Sequence, residues 1–235
     1  MWAMSETIRV NFGKPIPLFP LPDTVLLPHA ILPLHIFEPH YRQMVGSCLD
    51  GSGQIAIGTF QRAAGAADES PAPVRLAVCI GQIIQHDALP GGRYNILLHG
   101  VCRARIRQII EPEGDRPYRM ARLVPLEPVD RPPSPMPEVR ENLRELLTSP
   151  RLKRLRGVET LMEWIDSDEV STHALLELIG FALVRDTELK YQLLAEGDPE
   201  RRAVIIEGEL HYLERLVHRT DGQTYRTWPK GLSWN

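Results

Sequence analysis

The stretch VRLAVCIGQIIQHDALPGGRYNILLHGVCRARIRQII (74–110) decides the fold, because it contains two long strand-like segments around a tight turn. In its first half, apolar side chains recur at every second position with Gln82 as the exception: Val74, Leu76, Val78, Ile80 and Ile84. That spacing is the period of a β-strand. The turn LPGG (89–92) supplies glycines that tolerate a positive φ angle. The stretch therefore predicts a long β-hairpin, with Gly100 as a bulge or bend in its second strand.

Shorter strand-like segments surround this hairpin: IPLFPL (16–21), AILPLHIF (30–37), QIAIGTF (54–60) and YRMARLVPLE (118–127). One segment among them, EPHYRQMVGSCLD (38–50), has the apolar spacing of a helix. Pro39 suits the first turn of that helix, and Gly51 is placed to end it. Many strands joined by tight turns, with one helix, predict a small closed or nearly closed barrel.

Proline content and residue period divide the chain near residue 131. The segment RPPSPMP (131–137) has too few backbone N–H groups for a helix or a central strand, and we interpret it as a stiff linker. Beyond it the apolar residues follow the helical period, which predicts a bundle of four or five helices over about 138–220. The fold class is therefore α+β, with a barrel at 1–130 and a helical bundle with a C-terminal tail at 138–235.

Composition and charge exclude several classes of protein. The formal charge is −3, and a total so near neutrality argues against binding nucleic acid by bulk electrostatics. The three scattered cysteines, Cys48, Cys79 and Cys102, are too few for a disulfide framework and fit a reducing compartment. No apolar run approaches the roughly 18–20 residues that cross a bilayer, and the N-terminus lacks the pattern of a secretory signal. We therefore expect a cytoplasmic protein with no membrane partner.

Motifs for nucleotide binding and hydrolysis are absent from the sequence. No lysine is followed by Ser or Thr, as a phosphate-binding loop requires, and neither G-x-G-x-x-G nor G-x-S-x-G occurs. We expect no catalysis, no cofactor and no bound metal. One metal-dependent alternative stays open, a hydrolase that uses the clustered side chains His29, His35, Glu38 and His40. Their spacing matches no common metal pattern, and hydrogen bonds within the barrel explain them equally well.

Three arginines alternate along the second hairpin strand. Arg103, Arg105 and Arg107 are predicted to project from one face of it. That face is either ordinary solvated surface or a platform for an acidic peptide or a phosphate backbone. Tyr94 and Tyr118 are the nearby rings that could stack on bases. RNA binding through this face is therefore the second functional hypothesis.

The segment PIPLFPLPDTVLLPHAILPLHIFEPHYRQMV (15–45) resembles the opening of the N-terminal substrate-binding domain of the ATP-dependent Lon protease family. GGRYNILLHGVCRARI (91–106) resembles the hairpin of the same family, and LKYQLLAEGDPERR (189–202) is similar to a segment of its helical part. The resemblance covers about residues 15–220. It implies a PUA-like pseudo-β-barrel of six strands followed by an α-helical bundle. It also implies structural, non-catalytic roles for the motif residues Phe19, Pro33, His35, Phe37, Glu38, Tyr41 and Arg42.

The resemblance also implies a function. Lon proteases continue into an ATPase and a Ser-Lys peptidase, and the motifs of neither occur in this sequence. We therefore expect a non-catalytic recognition module that binds exposed or unfolded polypeptide segments, as an adaptor or a competitor of a protease. A Lon-type protease is the candidate partner. The junction between barrel and bundle is the expected position of the binding groove.

Overall fold

The structure is a computed structural model that describes residues 8–61, 73–127 and 135–221. Its strands are β1 (Ile16–Leu21), β2 (Ile31–Ile36), β3 (Gln54–Thr59), β4 (Ala77–Leu89), β5 (Arg93–Ile110) and β6 (Met120–Pro125). Its α-helices are α1 (Pro39–Leu49), α2 (Pro137–Thr148), α3 (Val158–Asp166), α4 (Thr172–Leu183), α5 (Thr187–Ala195) and α6 (Pro199–Asp221). The predicted α+β class is confirmed. Most of the predicted linker (131–134) and the predicted tail (222–235) lie outside the described residues.

The sheet closes into a barrel because β5 is long enough to hold two neighbours along one edge. β2 pairs with the first part of β5 (94–99) and β6 with the last part (104–110), while β4 follows the other edge. β6 also pairs with β1, β1 runs parallel to β3, and β3 pairs with β4. The ring β5-β4-β3-β1-β6 is therefore closed, and β2 extends the sheet beside it. The barrel predicted from the hairpin is present.

Two apolar cores lie on opposite sides of these strands. Alternate residues of the ring strands fill the barrel: Ile16, Leu18, Ala56, Val78, Ile80, Ala104, Ile106, Ala121 and Leu123. The opposite faces of β3 and β4 contribute Ile57 and Cys79 to a larger core. That core also contains Met44 of α1, Leu143 of α2 and Ile179 of α4. The barrel and the helical bundle thus share one core and do not meet through the linker alone.

The first hairpin strand departs from the predicted pattern at both ends. Val78 and Ile80 are buried inside the barrel, but Leu76 and Ile84 are 60% and 47% exposed. Leu76 precedes the strand, which begins at Ala77. The pairing with β5 shifts register between residues 83 and 85, that is, at Ile84. This shift interrupts the alternation of inward and outward side chains. The five apolar residues therefore do not form one buried face, because Leu76 and Ile84 are exposed.

Gly100 lies where the loop before β2 crosses the hairpin. A Cβ atom on this residue would stand 2.1 Å from the carbonyl oxygen of Leu27. The His29 N–H donates to the Gly100 carbonyl at 2.7 Å, and the Gly100 N–H donates to the Ala30 carbonyl at 2.9 Å. The pairing of β4 with β5 shifts register at Gly81, the partner of Gly100. The predicted irregularity at Gly100 is confirmed, and the crossing requires a residue without a side chain.

The helical unit follows the predicted period, with five α-helices in the described part of the bundle. Side chains cap the starts of α4 and α5, where Ser171 accepts the N–H of Ala174 and Asp186 accepts the N–H of Leu189. α4 is mostly buried, as its apolar sequence predicts. Over the described ranges, none of the helices combines the length and apolar character needed to cross a bilayer.

Candidate functional site

A buried cluster of four charged side chains joins the barrel to the bundle. Arg103 of β5 contacts the carboxylates of Glu127, which follows β6, and Glu177 of α4, the latter at 2.6 Å. Arg202 of α6 contacts the same two carboxylates, at 2.9 Å for Glu127 and 3.0 Å for Glu177. The formal charges of the four groups cancel. Because Arg103, Arg202 and Glu177 are only 1%, 2% and 3% exposed, the cluster fixes how the two units pack.

The cluster corrects the predicted arginine platform. Ala104 and Ile106 point into the barrel, so Arg103 and Arg105 lie on its outer side, while Arg107 lies at the register shift between Ile106 and Gln108. The helical bundle covers that side at Arg103, whereas Arg105 and Arg107 stay exposed. Arg103 is therefore an internal ion-pair partner and is not available to a ligand on the surface.

The two tyrosines do not extend the arginine face. Tyr118 is 8% exposed and belongs to the larger core. Tyr94 is half-buried opposite Ile36, at the other end of β5 from Arg105 and Arg107. The five side chains proposed from sequence as one binding surface are therefore not brought together.

An apolar groove lies between β1, β2 and the start of α1, and we call it the Phe37 groove. It has a volume of about 320 Å³, and its walls include Phe19, Leu21, Leu34, Phe37, Tyr41 and Phe60. The side chain of Phe37 is 60% exposed to solvent. A large apolar side chain left in water beside an apolar groove is typical of a binding surface.

Two further grooves continue from the Phe37 groove. One, of about 390 Å³, shares Tyr41 and Phe60 with it and is walled on its far side by the turn before β6. The other, of about 860 Å³, shares Pro22 and Phe60 and lies at the junction of barrel and bundle. Its other walls carry the charged residues Arg75, Arg185, Asp186 and Glu188. A junction groove is thus present as expected, but the apolar lining is concentrated beside it.

Aromatic packing fixes the shape of the Phe37 groove. The ring of Tyr41 on α1 lies 4.2 Å from the ring of Phe19 on β1, and Phe19 is buried. Arg42, on the next position of α1, donates to the carbonyl oxygen of Gly91 in the hairpin turn. These contacts attach α1 to the barrel.

The other four motif residues lie on the surface. Pro33, His35, Phe37 and Glu38 are all exposed, because odd-numbered residues of β2 point away from the core and the chain then turns into α1. The Nδ1 atom of His35 lies 2.7 Å from the Oδ1 atom of Asn95, and the His35 ring is stacked near Phe37. The structural role that the resemblance implies for these four residues stays a prediction.

The histidines considered as metal ligands do not converge. The His29 ring lies 6.4 Å from the ring of His99, His35 contacts an asparagine amide, and the His40 ring packs on Tyr41. Within the part of the chain that the structure describes, no three His, Cys, Asp or Glu side chains are grouped as a metal site needs. The described residues therefore offer no metal site on which the hydrolase hypothesis could rest.

The three cysteine thiols are not activated for chemistry. Burial raises the pKa of Cys48 to about 12. The pKa of Cys102 is raised to about 11, and burial is the largest of the causes. Burial also raises the pKa of Cys79 well above its ordinary value. A thiol that stays protonated at neutral pH is a poor nucleophile. These residues act as small apolar side chains of the core.

Two residues of this region have a role that sequence reasoning missed. Phe60 was assigned to a barrel strand, yet it follows β3 and lines all three grooves. The sequence feature that could have indicated this role is an aromatic residue just after a strand.

Glu177 interrupts the otherwise apolar run ALLELIGFALV (174–184). A carboxylate in a fully buried helix requires a buried cation, and that rule predicts its partnership with an arginine.

The fold is thus that of an α+β domain, in which a closed barrel and a helical bundle share a core and present grooves on the surface. The family model of the ATP-dependent protease La (LON) substrate-binding domain matches residues 15–211. The chain therefore belongs to the Lon substrate-binding domain family, and the resemblance noted for residues 15–45 is confirmed.

Relatives and a solved structure agree with this assignment. The chain is 26% identical over 205 residues to the Lon protease of Desulfovibrio desulfuricans, covering 83% of this chain and 22% of that protein. It is 32% identical over 114 residues to the Lon protease of Trichlorobacter lovleyi, covering 48% of this chain and 14% of that protein. It thus spans less than a quarter of either relative's length. The N-terminal domain of the Mycobacterium avium complex Lon protease has the same fold, with a TM-score of 0.64, 19% identity, and coverage of 84% of this chain and 98% of that one.

Proposed function

We propose that this protein is a non-catalytic recognition module that holds apolar segments of exposed or unfolded polypeptides in the Phe37 groove. The observation that carries the proposal is the 60% exposure of Phe37 beside an apolar groove. Family membership supports it, because the matching family model is that of a substrate-binding domain. An unfolded chain offers apolar side chains that a folded protein keeps inside, so the groove distinguishes the two states of a client.

The backbone next to the groove favours side-chain contacts over strand addition. The Leu18 N–H donates to the Arg119 carbonyl at 2.9 Å, on the β6 side of β1. The Leu21 carbonyl accepts from the Phe60 N–H on the opposite, β3 side. Because backbone groups alternate in direction along a strand, Pro20 faces the β6 side, where it has no N–H to donate. Along this edge of β1, a ligand is therefore recognised through its apolar side chains.

The proposal extends to the partner class. A module that holds unfolded segments delivers them to a protease or competes with a protease for them, and a Lon-type protease is the proposed partner. It needs no cofactor for this role. The cytoplasmic location and the relation of the barrel to PUA domains stay predictions from the sequence.

Replacing Phe37 by serine is expected to weaken binding of an unfolded polypeptide at least about tenfold, because burial of a phenylalanine is worth about 1.5–3 kcal/mol. The measurement is fluorescence anisotropy with a reduced and carboxymethylated polypeptide that cannot refold. Ile84→Ser is the matched control, since Ile84 is also an exposed apolar residue, at 47%, but lines none of the three grooves. Equal losses in the two variants, or none in Phe37→Ser, would contradict the proposal.

RNA binding is the second candidate, supported by the exposed arginines on the outer side of β5 and β6. Arg105, Arg107 and Arg122 are exposed there. If these three bound phosphates of a single strand, the logarithm of the affinity would fall with the logarithm of salt concentration at a slope of about −2. We expect no such salt-dependent binding of single-stranded RNA. A slope near −2 that falls to about −0.7 in an Arg105→Ala, Arg107→Ala variant, which keeps Arg122, would favour RNA instead.

A further inference from the structure

We infer that the Phe37 groove selects apolar segments flanked by lysine or arginine over apolar segments flanked by aspartate or glutamate. The inference rests on the proposed polypeptide binding and adds a charge requirement to it. It follows from the side chains around the groove, where carboxylates outnumber cations.

The mouth of the groove carries one carboxylate with only a histidine partner. Glu38 lines the groove, and 47% of its side chain is exposed. Its ion-pair partner is the imidazole of His40, at 3.6 Å, and not a permanently charged lysine or arginine. Arg42, one helical turn further along, directs its guanidinium to a backbone carbonyl of the hairpin turn. The charge of Glu38 is therefore available to a ligand at the mouth.

Further carboxylates lie beside the adjoining groove, in the turn before β6. Glu113 and Asp115 are both exposed there, outside the groove lining, while within the lining Glu111 pairs with Arg119 at 3.0 Å. The guanidinium of Arg116, in the same turn, donates to the backbone carbonyls of Glu111 and Tyr118 and not to a carboxylate. Glu113 and Asp115 thus add negative charge along the side of the groove that an extended segment would follow on leaving Phe37.

Arginines do line the two adjoining grooves, but Arg119 and Arg75 there pair with Glu111 at 3.0 Å and with Glu188 at 2.5 Å. Arg185 also lines the larger of these grooves.

The other lysines and arginines of the described residues lie outside these grooves. Arg105, Arg107 and Arg122 are on the outer side of β5 and β6, and Lys153 and Arg156 are exposed near α3, at the end of the bundle. A ligand in the Phe37 groove therefore meets a negative field. Such a field favours cationic flanks and repels anionic ones, with an effect that salt screens.

The test uses three peptides with the same apolar, aromatic-containing core and with two lysines, two serines or two glutamates at each end. Fluorescence anisotropy at about 50 mM and about 500 mM salt gives their affinities for the full chain. We expect the order lysine, serine, glutamate, with about tenfold between the extremes at low salt and about twofold or less at high salt. The triple variant Glu38→Gln, Glu113→Gln, Asp115→Asn should narrow the low-salt gap, while Arg105→Gln, Arg107→Gln should leave the order unchanged.

The outcomes separate the two proposals. Equal affinities for the three peptides, or tightest binding of the glutamate-flanked one, overturn the charge selection while Phe37-dependent binding stands. A lysine preference that the triple variant retains in full also overturns it, because the charge then comes from another surface. Failure of all three peptides to bind overturns the proposed function itself.

Discussion

Glu177→Ala is expected to lower the free energy of unfolding by about 3–5 kcal/mol, the largest loss of any single substitution in the buried charge cluster. The substitution removes the carboxylate that lies 2.6 Å from Arg103 and 3.0 Å from Arg202. Both guanidinium groups are almost fully buried, so neither can turn to water for compensation. Urea denaturation followed by circular dichroism measures the effect.

The matched control is Glu188→Ala. Glu188 also pairs with an arginine, Arg75, at 2.5 Å, but 59% of its side chain is exposed. Surface ion pairs contribute about 0–1 kcal/mol, so this variant should unfold close to the unaltered protein. A Glu177→Ala variant as stable as Glu188→Ala would show that the bundle does not bury Arg103 against α4.

Gly100→Ala is expected to destabilise the protein by about 3 kcal/mol, the loss expected when overpacking must move the backbone. The added Cβ atom would stand 2.1 Å from the Leu27 carbonyl oxygen, an atom of the backbone that no rotamer change can move. Displacing this loop would also break the two backbone hydrogen bonds that Gly100 makes with His29 and Ala30. The midpoint of urea unfolding reports the change.

Gly208→Ala provides the opposite control. Gly208 lies within α6, and a Cβ atom there would meet nothing within 4 Å. Alanine is a better helix former than glycine by about 0.8–1 kcal/mol, so this variant should be slightly more stable than the unaltered protein. If both variants shifted stability alike, the close crossing of the loop over Gly100 would be refuted.

Local sequence patterns predicted the elements because strands and helices depend on nearby residues. The strand β1 was predicted at its observed bounds, and the long hairpin and α1 within a residue or a few, from apolar spacing and turn residues. The exposure of Leu76 escaped this reasoning, because spacing predicts which residues alternate but not where a strand begins.

The environment of individual side chains was harder to predict from the sequence, because it depends on distant parts of the chain. Alternation correctly gave the direction of Arg103, but its partner Glu177 is 74 positions away, on a helix that no pattern in β5 predicts. The same limit applies to the Phe37 groove. Its walls come from β1, β2, α1 and Phe60, and only the packing of these separate segments brings them together as a groove.

Site-specific photo-crosslinking tests most directly whether the Phe37 groove is the place where unfolded chains bind. A benzophenone amino acid in place of Phe37 keeps an aromatic ring in the groove, and the same substitution at Ile84 reports on an exposed site away from it. With one client protein offered in native and in carboxymethylated form, we predict crosslinks from position 37 to the unfolded form alone, and few from position 84. Equal yields from both positions, or equal yields with both forms of the client, would contradict the assignment of this groove.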